Sequence, residues 1–263
     1  MDEWYSIGGF SDPMSSLSHL VGTVIFFLLS IPLLIGARRS RTTFFYCLQF
    51  SLAALFLLSI SSVYHMMVVG GTARGVMLRL DIAAIFVMIA STFTVMHGIL
   101  FTGWRRWAIV SLLWLITVVG VTLRIVFFEQ IPGYVGDAIF LLMGWIGAVS
   151  AYLLWQKYHW RAIGPIVIGG LCYTIGALIN TFDWPIFIDK VWGPHETFHL
   201  FVLAGLGVHW AFVWSIADGS FQRRSLELNN QIKSPETGIP HHPVVLHPDQ
   251  IESSPHMNLE ALE

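Results

Sequence analysis

Seven stretches of about 20 apolar residues, each long enough to cross the hydrocarbon core of a bilayer, occupy most of this 263-residue chain. They run over residues 17–36, 43–68, 76–101, 107–128, 136–156, 162–182 and 195–217. A segment in lipid must satisfy its own backbone polar groups, so each stretch reads as a helix. The connections are short, which makes successive helices antiparallel. The expected fold class is all-α, an integral membrane bundle of seven transmembrane helices.

Composition supports this. Charged residues make up 11% of the chain and apolar residues 55%, whereas a soluble domain carries about 25% charged residues. Net charge is −2 and no basic stripe exists, so no nucleic-acid partner is expected. Cys47 and Cys172 lie far apart with no CxxC spacing. A disulfide framework and a thiolate metal site are both poor readings.

The chain divides into a short N-terminal segment (1–16), the seven-helix domain (17–217) and a polar tail (218–263). The tail is proline-rich, lacks helical periodicity and reads as disordered. Its His241, His242, His247 and His256 could bind a metal, although a solvated tail is the simpler reading. Met1-Asp2-Glu3 is acidic where a signal peptide would be basic, and the first apolar run is too long for one. Ser15 or Ser16 is expected to cap the first helix, and Gly193-Pro194 to open the last. Pro32 and Pro165 fall within spans.

Lys and Arg in short loops set orientation. Arg38, Arg39, Arg41, Arg105, Arg106, Lys157, Arg161, Arg223 and Arg224 lie on the side away from the N-terminus. Only Arg74, Arg79, Lys190 and the deeper Arg124 lie on the N-terminal side. The expectation is an outside N-terminus and a cytoplasmic C-terminus.

Ionisable residues inside spans are costly and mark function. His19 begins span one, Ser61 and His65 end span two, Asp81 begins span three, and His195 and His199 begin span seven. All fall near the N-terminal side, at similar depth, on four helices. His195 and His199 stack on one helix face, about 6 Å apart along the axis. Two such imidazoles plus His65 can hold one metal ion and leave a tetrahedral position open, the pattern of a catalytic zinc site. Without thiolates, zinc suits this donor set best, with iron or manganese as alternatives. Each residue also has a plain structural reading. Asp81 could pair with Arg79 or Arg74, Ser61 could bond a helix carbonyl, and His19 could cap or snorkel. His97, His159 and His209 lie elsewhere and read as structural.

Ser61-Ser62-Val63-Tyr64-His65, Arg79-Leu80-Asp81 and Pro194-His195-Glu196-Thr197-Phe198-His199 resemble the hemolysin III family, within the progestin and adipoQ receptor superfamily. Ser18-His19-Leu20-Val21-Gly22 and Ile85-Phe86-Val87-Met88-Ile89-Ala90 look like its first-span and third-span motifs. The resemblance covers roughly residues 15–217. It implies zinc on His65, His195 and His199, with Asp81 and Ser61 holding or orienting the metal-bound water and His19 nearby. Ile82 stands where the family usually has a histidine after the aspartate.

Related receptors and alkaline ceramidases suggest hydrolysis of a lipid amide. The leading expectation is a zinc-dependent hydrolase of a membrane lipid, with Asp81 as general base and Ser61 as oxyanion donor. A receptor or sensor with structural zinc, closed by Asp81 or His19, is the alternative. A hemolysin-type pore ranks lowest, because mid-span residues are mostly apolar. Gly144, Gly147, Gly169 and Gly170 are expected at helix contacts or at an opening for an acyl chain.

Overall fold

A computed structural model describes residues 10–158, 160–189 and 191–224, without the side chains of residues 160–162. It contains α1 (Pro13–Ala37), α2 (Arg41–Met66), α3 (Thr72–Leu100), α4 (Trp104–Val126), α5 (Gly133–Lys157), α6 (Trp160–Thr181) and α7 (Pro194–Ala217). All seven are long and apolar enough to cross a membrane. Their ends fall within four residues of the expected spans. The helices run further than the apolar stretches because their first turns are polar, as capping requires.

Each helix packs against its chain neighbours, and α1 closes the ring against α7. α3 also reaches α5 and α7, which sets it inside the ring. Two-thirds of its most apolar window is buried (67%), against 17–44% for the others. Phe50, Leu58, Val95, Leu206 and Val213 fill the core around α2, α3 and α7, and Phe86, Phe93, Leu113 and Met143 join α3 to α4 and α5. The outward faces are apolar too: Val24, Phe27, Leu28 and Ile31 of α1 are all exposed. In water such a belt would drive association; in a bilayer it is the lipid contact.

His97 behaves as a satisfied core histidine, bonded to Ser150 Oγ at 2.9 Å and Arg105 O at 3.2 Å. His209 lies buried with Nε2 3.4 Å from Ile166 O. His159 and Lys190 lie outside the described residues. Beyond α7 the chain turns at Gly219 (φ +78°), and residues 220–224 are helical. Phe221 is buried against Phe212, ring centroids 5.4 Å apart. The bundle therefore takes in the start of the segment assigned to the tail. Residues 225–263, with the four tail histidines, lie outside the described residues.

Of the four glycines singled out, Gly169 and Gly147 lie against His209 and Phe93, while Gly144 and Gly170 face open space. Another glycine sets the α6–α7 distance more firmly. A Cβ on Gly176 would sit 2.7 Å from Phe201 Cβ, an atom too close to its backbone to swing away. Gly176→Val is expected to force α6 from α7 and destabilise by about 1–3 kcal/mol. A lowered thermal midpoint in detergent checks this, and an unchanged one would show that the helices can yield.

Candidate metal centre

The centre forms where α1, α3 and α7 begin and α2 ends. At α7, Gly193 is extended and Pro194 takes the first helical position, where a missing N–H costs nothing. Glu196 reaches back to accept from Gly193 N–H at 2.9 Å, satisfying a free amide of the first turn. Its other oxygen accepts from Ser15 Oγ of α1 at 2.8 Å. This buried carboxylate fixes the start of α7 and ties it to α1, which sets where His195 and His199 emerge.

His65, in the last turn of α2, meets that pair. The Nε2 atoms of His65 and His195 are 3.2 Å apart, as are those of His195 and His199. One ligand atom from each histidine lies within 4.8 Å of the other two. Nitrogens held by one tetrahedral zinc at 2.0–2.1 Å would be about 3.3 Å apart, so the spacing fits such an ion.

The outer nitrogens explain why the inner ones are free. His65 Nδ1 lies 3.0 Å from Asp12 Oδ2, and His195 Nδ1 lies 2.9 Å from Asn180 Oδ1 at the end of α6. Both partners are acceptors, so the bonding pattern assigns the proton to Nδ1 in each ring. Each Nε2 is then a bare lone pair. Two bare lone pairs 3.2 Å apart repel unless a cation lies near both, so the donor set fits a metal. Burial pushes the Asp12 carboxyl up, but hydrogen bonds from His65 and Arg74, with the arginine's charge, hold it below the usual carboxylate value.

The other expected residues take graded positions. His19 stacks on His199, centroids 3.9 Å apart and 15° from parallel. Both its ring nitrogens, and His199 Nδ1, are buried without a protein partner. The Asp81 carboxylate of α3 lies near Ser61 and His65 of α2. Neither Asp81 nor His19 joins the three-histidine group found among the described residues.

Several expectations are corrected. Ser15 and Ser16 do not cap α1, which begins after Asp12; Ser15 bonds Glu196, and Ser16 Oγ donates to Ser62 O at 2.9 Å. Asp81 does not pair with the nearby arginines: Arg74 binds Asp12 at 2.6 Å, and Arg79 lies 4.0 Å from Glu129. Sequence reasoning missed Asp12, Asn180 and Glu196. Asn180 carried a signal, a polar amide in the last turn of span six on the N-terminal side, and Glu196 had the three-residue spacing of a cap.

A family model described as Haemolysin-III related matches residues 10–210. Hemolysin-3 of Bacillus cereus is 25% identical over 197 residues, covering 73% of this chain and 84% of that protein. A Hemolysin-3 homolog of Bacillus subtilis (strain 168) is 22% identical over 152 residues, covering 58% of this chain and 68% of that protein. The matched region reaches all seven helices, ending within α7, and includes every residue of the centre described above. The chain belongs to the haemolysin-III-related family, within the progestin and adipoQ receptor superfamily.

Proposed function

We propose that this membrane protein is a zinc-dependent hydrolase of a lipid amide. The observation that carries the reading is the convergence of three imidazole nitrogens, with Nε2 atoms 3.2 Å apart, at one end of the bundle. An all-imidazole set suits zinc. When bound with one position open, zinc supplies an acidified water and polarises a substrate carbonyl.

The remaining work falls to the chain. His65, His195 and His199 hold the ion. Asp81, close by but outside the ligand group, receives the proton lost by the attacking water and returns it to the leaving amine. Ser61, beside that carboxylate, is the candidate donor to the developing oxyanion. Leu17, Leu20 and Val21, beside His19 in the sequence, are exposed on α1. An acyl chain can reach the centre across such a face without leaving the bilayer. The Lys/Arg bias supports an outside N-terminus, which puts the centre near the outer face.

The names of the relatives raise a pore as the second reading. A pore needs a polar path through the bilayer. Here Phe50, Leu58, Phe86 and Leu206 fill the interior beyond the centre, which favours hydrolysis. The test is fatty-acid release from ceramide in mixed micelles by the zinc-loaded protein. Chelator-sensitive release is expected. No turnover of any lipid amide or ester by fully loaded protein would overturn the proposal.

A further inference from the structure

We infer that Asp12, just before the first span, is a positioning residue of the metal centre, fixing the tautomer and orientation of His65. The inference rests on the three-histidine metal reading above but not on hydrolysis.

Asp12 grips His65 twice. Its backbone N–H donates to His65 O at 3.0 Å, and its carboxylate accepts from His65 Nδ1 at 3.0 Å. The first contact fixes where the last turn of α2 ends. The second fixes the ring and keeps the proton on Nδ1, leaving Nε2 bare toward His195. A carboxylate behind a ligand histidine also raises its basicity.

Arg74 holds the carboxylate in turn. Its Nη2 donates to Asp12 Oδ2 at 2.6 Å, Nη1 donates to Met67 O, and the guanidinium lies over the Tyr64 ring, 4.7 Å from its centroid. One arginine thus binds the carboxylate, the turn after α2 and the residue before His65. The same oxygen of Asp12 serves both His65 and Arg74, so Arg74 pins the acceptor atom that the imidazole uses. A carboxylate so engaged stays behind the ring instead of swinging forward as a ligand itself.

Two measurements test this. In the metal-free protein with ¹⁵N-labelled histidine, and His65→Ala to assign the signal, His65 is expected to carry its proton on Nδ1. Asp12→Ala is expected to shift it toward the Nε2–H form, whereas Arg74→Gln, which keeps the carboxylate, leaves Nδ1 protonated. In competition with a chromogenic chelator, Asp12→Ala is expected to weaken zinc binding roughly 10–100-fold. Asp12→Asn keeps an acceptor and should lose less; it also serves if the alanine variant does not fold. A purely structural salt bridge would lower the thermal midpoint of Asp12→Ala and Arg74→Gln alike, with tautomer and zinc affinity unchanged, and that result overturns the inference. A tautomer shift in Asp12→Ala, where the wild-type chain takes no zinc, would keep the positioning of the His65 ring and overturn the metal reading. Zinc binding without hydrolysis would leave the role of Asp12 intact and sink only the enzyme.

Discussion

Asp81→Asn is expected to leave zinc content unchanged while lowering fatty-acid release about 10²–10⁴-fold, the usual contribution of a positioned acid–base group. The two effects separate because Asp81 lies outside the converging nitrogens yet close to Ser61, one helical turn from His65. The amide keeps the shape but cannot take a proton. His195→Ala is expected to lose zinc and hydrolysis together. Should Asp81→Asn lose zinc as His195→Ala does, Asp81 would be a fourth ligand, and the closed, structural site of a receptor would be the better account.

Glu196→Ala is expected to be the most damaging change away from the ligands. Glu196 is 7% exposed, and its carboxylate accepts from Ser15 Oγ and Gly193 N–H. A hydrogen bond to a charged group contributes about 1.5–3 kcal/mol. Losing two, with both donors left buried and unpaired, should cost about 3 kcal/mol or more. At roughly 2–4 °C per kcal/mol for a chain of this size, the thermal midpoint should fall by about 10 °C. Zinc affinity should fall with it, because the first turn of α7 carries His195 and the second carries His199. Glu196→Gln should lose less, since its amide oxygen can still accept one of the two bonds. A midpoint within 2 °C or so of wild type for the alanine variant would mean that the cap and the α1 tie are dispensable.

The architecture was legible because a bilayer leaves a chain few options. Length and apolarity mark the helices, and antiparallel alternation then sorts residues by side. That sorting placed His65 with His195 and His199 although 130 residues separate the first two. It worked because all three lie inside apolar runs, where a polar group stands out. The supporting groups did not stand out. Asp12 precedes the first apolar run, in a segment that also holds Asp2 and Glu3, where charge is unremarkable. Glu196 sits in a first turn, where acids serve helix ends, and nothing in sequence shows that its second oxygen meets Ser15. Arg74 and Arg79 are two of several basic residues on one side, and only three-dimensional proximity assigns Arg74 to Asp12. Helix ends shifted for a related reason: polar first turns such as Arg41-Thr42-Thr43 and Thr72-Ala73-Arg74 lie outside any apolar window.

Metal content tests the central claim most directly. Protein purified in detergent without chelator, then washed of loosely held ions, should carry close to one zinc per chain by elemental analysis. His65→Ala and His199→Ala should each carry far less, because a site worth about 10 kcal/mol or more cannot lose one of three ligands and stay filled. Equal, substoichiometric zinc in all three proteins would contradict the account.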